Sequence, residues 1–174
     1  IRFRKFAKKE ADIFIKNLKG KKILDLGCGS GNHAEYFQKK GLDVLCIDIS
    51  EEMVKLCRKK GLRAKVMDIE NLKLPEKTYD GVWSYTSLLH IPKKNIENIT
   101  RRIVRILKLN GILCLALIEG KVEGFETDEK YPGTIQYVSY FTDEEIQKLF
   151  GKHFNLLHSS RTNVENRYVI LNYI

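Results

Sequence analysis

Lys22-Ile23-Leu24-Asp25-Leu26-Gly27-Cys28-Gly29-Ser30-Gly31 is the stretch around which the rest of the chain is arranged. Ile23, Leu24 and Leu26 make the short apolar run of a strand buried on both faces of a parallel sheet. The run breaks at three alternate glycines, and Asn32-His33-Ala34-Glu35-Tyr36-Phe37 then takes up a helical pattern. Strand, glycine turn and helix in that order form half of a nucleotide-binding crossover. The glycines let the backbone turn sharply and approach a ligand closely, and the first helical amides point into the same space. The spacing is Gly-x-Gly-x-Gly, not the dinucleotide Gly-x-Gly-x-x-Gly, and Asp25 sets a carboxylate inside the strand just ahead of the turn. A pyrophosphate is repelled by that charge; a cationic ligand is attracted. The plainer reading of the same residues is a glycine turn joining any strand to any helix.

Asp43-Val44-Leu45-Cys46-Ile47-Asp48 reads as the second strand, with Asp48 at its carboxyl end. In open α/β sheets ligands sit outside the carboxyl ends of the strands, so Asp48 faces the same crevice as the glycine turn. An acid there accepts hydrogen bonds from both hydroxyls of a ribose. Alternatively it is a turn or N-cap residue, since Ser50 follows and Glu51-Glu52-Met53 opens a helix over 51–59. Arg63 to Met67 make a third strand that closes with Asp68-Ile69. An acid and an apolar side chain at a strand end suit adenine: the carboxylate accepts from the exocyclic amine while the aliphatic group covers the ring. Tyr79-Asp80-Gly81-Val82-Trp83-Ser84 is the fourth strand, and Tyr85 to Pro92 lead into a helix over 93–108. Asn110-Gly111 turns into the almost continuously apolar fifth strand, Ile112 to Ile118.

Residues 2–18 form an amphipathic helix, with Phe3, Phe6, Ala7, Phe14 and Leu18 opposite Arg4, Lys5, Lys8, Lys9 and Lys16. It packs on the sheet, covers the ligand or lies on a membrane surface. A loop-rich insertion over 119–139 follows the fifth strand, and a connection of that length in a small domain is usually functional. Thr142-Asp143-Glu144-Glu145 is a capping box opening a helix that ends at Gly151. Phe154 to Ser159 and Tyr168 to Tyr173 read as the last two strands, joined through Asn163-Val164-Glu165-Asn166. No crossover helix fits between them, so the last strand runs antiparallel.

At 174 residues the chain is one domain with a sizeable core. It has no apolar run of membrane-spanning length and no secretory signal pattern. Cys28, Cys46, Cys57 and Cys114 are separated, with no Cys-x-x-Cys pair, so neither a metal site nor a disulfide framework is expected and the setting is cytoplasmic. Lys and Arg number 31 against 22 Asp and Glu, a formal charge of +9. That balance suits either an RNA partner or a solvated lysine-rich surface, and the basic runs lack the interleaved aromatics of a base-stacking surface.

The motifs resemble those of the class I S-adenosylmethionine-dependent methyltransferases, whose first motif reads very like residues 23–31. The resemblance runs in order from 22 to 174. It implies a Rossmann-like, doubly wound α/β fold: a mostly parallel seven-stranded sheet with a C-terminal antiparallel hairpin. It implies an N-terminal lid helix over 1–21 and a single catalytic domain over 22–174. The implied cofactor is S-adenosyl-L-methionine, with S-adenosyl-L-homocysteine as product and no metal. Its binding residues, carried over by position, are Asp25, Gly27, Cys28, Gly29, Gly31, Asp48, Ile49, Met53, Asp68, Ile69 and Ser84.

In that family the end of the fourth strand lines the pocket for the transferred methyl, which makes His90 and Tyr85 the catalytic candidates. His90 is the candidate base, following the fourth strand, or a structural histidine ahead of Pro92. Tyr85 orients a substrate hydroxyl or packs. His33 lies where it can approach the methionine carboxylate. The expected reaction is methyl transfer to oxygen, nitrogen or carbon of a small molecule. The acids Glu119, Glu123, Glu126, Asp128 and Glu129 on the insertion would repel a phosphate backbone. The alternatives are an RNA methyltransferase using the basic faces of 2–18 and 93–108, and a non-catalytic cofactor-binding interaction protein.

Overall fold

In a computed structural model of the chain, residues 7–127, 133–164 and 168–174 are described. The first half alternates: α1 (Ala7–Asn17), β1 (Lys22–Leu26), α2 (Asn32–Lys39), β2 (Asp43–Asp48), α3 (Glu51–Lys59), β3 (Arg63–Val66), β4 (Tyr79–Tyr85), α4 (Lys93–Ile106) and β5 (Leu107–Ile118). A hairpin of β6 (Glu123–Thr127) and β7 (Ile135–Ser139) follows, then α5 (Asp143–Phe150), β8 (Ser159–Val164) and β9 (Tyr168–Tyr173). Seven strands form one sheet in the order β3-β2-β1-β4-β5-β9-β8. The pairs β1/β2, β1/β4, β2/β3 and β4/β5 are parallel, while β9 runs antiparallel to both β5 and β8. The fold is the expected mostly parallel α/β sheet with its antiparallel end. Strand order reverses between β1 and β4, so the crevice at their carboxyl ends is the switch point at which such sheets bind ligands.

Helices cover both faces, which is why the central strands are mostly apolar. Leu24, Leu26, Leu45 and Ile47 face α4 and α5, meeting Ile96, Ile99, Ile103, Ile146 and Phe150. The buried residues of α4 recur at helical spacing, the pattern of an amphipathic helix on a sheet. Ile23, Val44, Cys46 and Trp83 take the opposite face under α1, α2 and α3, with Phe14, Phe37 and Val54. Thr142 caps α5 in the expected capping box with Glu145.

Four expectations change. The strand foreseen over Phe154 to Ser159 is displaced: β8 begins at Ser159, and the amides of Leu157 and His158 donate to the carbonyl of Ile174. The apolar residues misled, since Leu156 and Leu157 are exposed while the polar Ser-Ser-Arg-Thr-Asn run forms the sheet edge. The foreseen linker therefore begins inside β8, and Glu165 and Asn166 lie outside the described residues. The loop-rich stretch 119–139 contains the β6–β7 hairpin, in which Phe125 pairs with Tyr137; Asp128 and Glu129 are outside the described residues. The helix foreseen over 93–108 stops at Ile106. Tyr79 pairs with Leu107 and Gly81 with Ile112, so the intervening residues bulge around Asn110, at φ 60°. Helix α1 buries Ala7, Glu10, Ala11 and Phe14 against the sheet, and Glu10 accepts a hydrogen bond from Ser160 Oγ at 2.8 Å. Phe3 and Phe6 are outside the described residues. Among the described residues, no helix is long and apolar enough to cross a membrane.

Many basic residues on the helix surfaces already have acidic partners: Lys39 with Glu35, Lys55 with Glu51, Arg101 with Glu97 and Arg105 with Glu76. These pairs are largely exposed and contribute little stability.

Candidate cofactor site

The turn after β1 is built from left-handed glycines: Gly27, Gly29 and Gly31 have φ of 71°, 53° and 77°. The amides of Gly27 and Cys28 both donate to the carbonyl of Ile47 at 2.9 Å, folding the turn over the end of β2. The next amide, that of Gly29, donates to Asp48 Oδ2 at 2.8 Å, and Asp48 Oδ1 accepts from the Ser50 amide at 2.9 Å. The N-cap of α3 is Ser50, whose hydroxyl accepts from the Met53 amide. Asp48 is therefore not the cap. Each of its oxygens keeps a further lone pair for a ligand hydroxyl.

Around the turn, space is distributed unevenly. A Cβ on Gly27 would lie 2.4 Å from Ser87 Cβ and 3.4 Å from Ile69 Cδ1, whereas one on Gly29 would meet nothing among the described residues within 4 Å. The floor is closed at Gly27 and open at Gly29. Ser84 is fully buried and shares a hydrogen bond of 2.8 Å with Ser87, so it reaches the crevice through Ser87. Between them Thr86 holds a left-handed φ of 57°, a strained backbone of the sort that collects at functional sites.

At the end of β3, Asp68 accepts from the Glu70 amide at 2.8 Å and from Asn71 Nδ2 at 3.1 Å, capping the short helical turn Ile69–Asn71. Ile69 lies against the Gly27 floor, and Ile49 is 72% exposed beyond Asp48. Two acids at neighbouring strand ends, each flanked by an aliphatic side chain, thus border the turn.

Asp25 is 2% exposed and stands in register between Cys46 of β2 and Trp83 of β4. Burial pushes its carboxyl up to about 8, the neighbouring Cys57 and Asp48 add to the rise, and the Ala34 amide draws it back. Its Oδ2 has no hydrogen-bond partner among the described residues. A buried, half-satisfied carboxyl beside an open turn is suited to an ammonium. The set Asp25, Asp48 and Asp68 also fits a ribonucleoside that bears positive charge and no phosphate.

Tyr85, the last residue of β4, stacks on Trp83 with ring centroids 5.4 Å apart, and His33 meets its edge at 5.0 Å. Burial lowers the His33 imidazole to about 4, so it is neutral in this cluster at ordinary pH. His90 is held elsewhere, by the hairpin: its Nδ1 is 3.0 Å from the carbonyl of Tyr137. A carbonyl only accepts, so Nδ1 carries the proton and Nε2 keeps the lone pair that a base needs. The hairpin is fastened to the same segment by Ser139 Oγ donating to the Ile91 carbonyl and by the Lys93 amide donating to Glu123.

Residues 24–115 match the family model described as "Methyltransferase domain". The chain belongs to the class I S-adenosylmethionine-dependent methyltransferase family. Among curated members it is 32% identical over 109 residues to a ubiquinone biosynthesis O-methyltransferase of Xanthomonas oryzae pv. oryzae, covering 59% of this chain and 45% of that protein. It is 30% identical over 130 residues to the S-adenosyl-L-methionine-dependent Diels-Alderase iccD of Talaromyces variabilis, covering 69% and 44%. The methyltransferase chain thus spans less than half the length of these relatives. Among solved structures, the 1,6-didemethyltoxoflavin-N1-methyltransferase of Burkholderia thailandensis superposes with a TM-score of 0.77 at 21% identity, over 98% of this chain and 78% of that one. At that identity the likeness speaks for the fold.

Reasoning on the sequence missed Ser87, Thr86 and Tyr137. Ser87 gave no local signal, since its place opposite Gly27 depends on the pairing of β1 with β4. Tyr137 had none, because its contribution is a backbone carbonyl. The cysteines, separated along the chain, also converge: Cys28, Cys46 and Cys57 lie together beneath the turn.

Proposed function

We propose that the protein transfers a methyl group from S-adenosyl-L-methionine to oxygen, nitrogen or carbon of a small-molecule acceptor, releasing S-adenosyl-L-homocysteine. The observation that carries this reading is the buried Asp25, one oxygen of which has no partner among the described residues, beside a glycine turn latched to Asp48. In this reading Asp25 takes the ammonium of the methionine portion, directly or through water. Asp48 takes the ribose hydroxyls. Asp68 accepts from the adenine amine, and Ile49, Ile69 and Met53 cover the ring. Gly27, Cys28, Gly29 and Gly31 supply the close backbone approach, and Ser84 supports it through Ser87.

The cofactor supplies a methyl already activated on a sulfonium. The chain's own work is then orientation and exclusion of water, which can contribute roughly 7–11 kcal/mol. A general base adds about 10²–10⁴-fold, or roughly 3–5 kcal/mol. Alignment is the larger effect. The β6–β7 hairpin is the proposed substrate wall, and His90, with Nδ1 committed to Tyr137, is the proposed base acting through Nε2. Tyr85 orients the acceptor at the β4 end. Segment 1–21 is the proposed cover; within it, Phe14 packs on Phe37 and Trp83. The four buried thiols suit a reducing compartment, and we assign the protein to the cytoplasm. The ion-paired helix surfaces favour a small acceptor over RNA.

The test is incubation with S-adenosylmethionine and a fractionated metabolite mixture. Accumulation of S-adenosylhomocysteine in particular fractions supports the proposal. Cofactor binding without turnover in any fraction would point to a binding protein.

A further inference from the structure

Cys28 in the glycine turn, Cys46 in β2 and Cys57 in α3 come from three elements, yet their Sγ atoms all lie within 4.8 Å of one another. The Cys28 and Cys57 sulfurs are 3.7 Å apart. All three side chains are buried, and Cys28, at 8% exposure, is the most accessible of them. The carbonyl oxygen of Gly29 lies 3.2 Å from Cys57 Sγ and 3.4 Å from Cys28 Sγ, adding an oxygen to the three sulfurs. Asp25 emerges beside Cys46 on the same sheet face, its Oδ2 without a partner among the described residues.

A cysteine buried alone behaves as a small hydrophobe. Three that converge have a different geometry. Thiolates around one ion with metal–sulfur bonds of about 2.3 Å sit roughly 3.8–4.0 Å from each other. The observed triangle, with one side of 3.7 Å and none above 4.8 Å, needs only small rotamer adjustments to match. A disulfide between Cys28 and Cys57 would use two of the sulfurs and leave Cys46 without a role. Soft thiolate donors select soft cations over hard ones such as magnesium or calcium.

We propose that Cys28, Cys46 and Cys57 form a binding site for a thiophilic d10 cation, Zn(II) or Cu(I), which ties the cofactor turn to β2 and α3. Binding replaces three thiol protons with three metal–sulfur bonds and releases the protons to solvent. Because the ligands come from three elements, the bound ion stabilises the folded state by mass action. The proposal is independent of methyl transfer, and its test does not read turnover.

Fully reduced protein is loaded with Zn(II), or anaerobically with Cu(I), passed through a desalting column in the presence of a competing chelator, and assayed for metal. One ion per chain is expected in at least one arm, and the arm that survives the chelator identifies the cation. The melting temperature should rise on loading. Cys46→Ala and Cys57→Ala should lose the ion, while Cys114→Ala, altered at a buried thiol outside the cluster, should keep it. X-ray absorption on loaded wild-type protein gives a check that needs no variant: three sulfur scatterers at about 2.3 Å are expected. The proposal is overturned by no retained metal in either arm, by unchanged stoichiometry in Cys46→Ala, by a shell of oxygen and nitrogen alone, or by a Cys28–Cys57 disulfide in place of metal uptake.

Discussion

The amide of Gly29 donates to the carboxylate of Asp48 at 2.8 Å, fastening the glycine turn after β1 to the end of β2. One side chain thereby shapes the cradle and, in the proposed function, holds the sugar. Asp48→Ala removes an acceptor from both partners. Hydrogen bonds to charged groups contribute about 1.5–3 kcal/mol each, so the affinity for S-adenosylhomocysteine should fall by roughly 10–100-fold or more. Calorimetric titration measures this, and near-normal binding would mean that the ribose lies elsewhere.

Gly27 and Gly29 should respond differently to the same substitution. Gly27→Ala forces a Cβ to within 2.4 Å of Ser87 Cβ, a contact that must displace the segment after β4. It should lower stability by several kcal/mol, as overpacking and left-handed strain add together. In Gly29→Ala the new methyl meets no atom of the described residues within 4 Å, so the cost is that of the left-handed backbone, roughly 1–2 kcal/mol. The methyl nonetheless occupies the space assigned to the ligand. Denaturant unfolding should therefore rank Gly27→Ala well below Gly29→Ala, while both lose cofactor binding. Equal stabilities would argue against the closed floor.

Much of this architecture was legible in the residues, for a physical reason. Strands buried on both faces must be apolar, so β1, β2, β4 and β5 stand out, and Thr142 with Glu145 announces the start of α5. The sheet edge was hidden because β8 is polar and the apolar Phe154, Leu156 and Leu157 beside it imitate a strand. The β6–β7 hairpin was hidden because its Glu-Gly-Phe-Glu-Thr strand has too little apolar alternation to separate it from loop. That the glycine turn and Asp48 meet at neighbouring strand ends was legible from their places after β1 and β2. Ser87 and the three-cysteine cluster depend on register between distant strands, which no local pattern encodes.

Asp25 gives a pH test with a definite sign. Its carboxyl is raised to about 8 by burial, from an ordinary value of 3.8. Between those values the folded protein holds a proton that the unfolded chain has released, so this group's contribution to stability falls as pH rises from about 4 to about 8. Asp25→Asn should flatten that part of the stability profile. Below about pH 8, taking up an ammonium should drive the carboxyl to ionise. Titrations in buffers of different ionisation enthalpy should then show a proton released by the wild type and not by Asp25→Asn. Identical proton counts would remove Asp25 from the ammonium.

His90→Ala should leave cofactor affinity intact and lower kcat by about 10²–10⁴-fold, the range for loss of a general base. The variant also loses the Nδ1 contact to the Tyr137 carbonyl, so the hairpin should gain amide exchange around Tyr137. Faster exchange with an unchanged kcat would make His90 a fastener of the hairpin and nothing more.

The account turns on what the crevice between β1 and β4 accepts. The most direct measurement is calorimetric titration of the purified protein with S-adenosylhomocysteine, run beside nicotinamide and flavin nucleotides. Saturable binding of one S-adenosylhomocysteine per chain, weakened by roughly 10–100-fold or more in Asp48→Ala and absent for the nucleotides, is the predicted result. Saturation by a nicotinamide or flavin nucleotide, with no heat from S-adenosylhomocysteine, would contradict it.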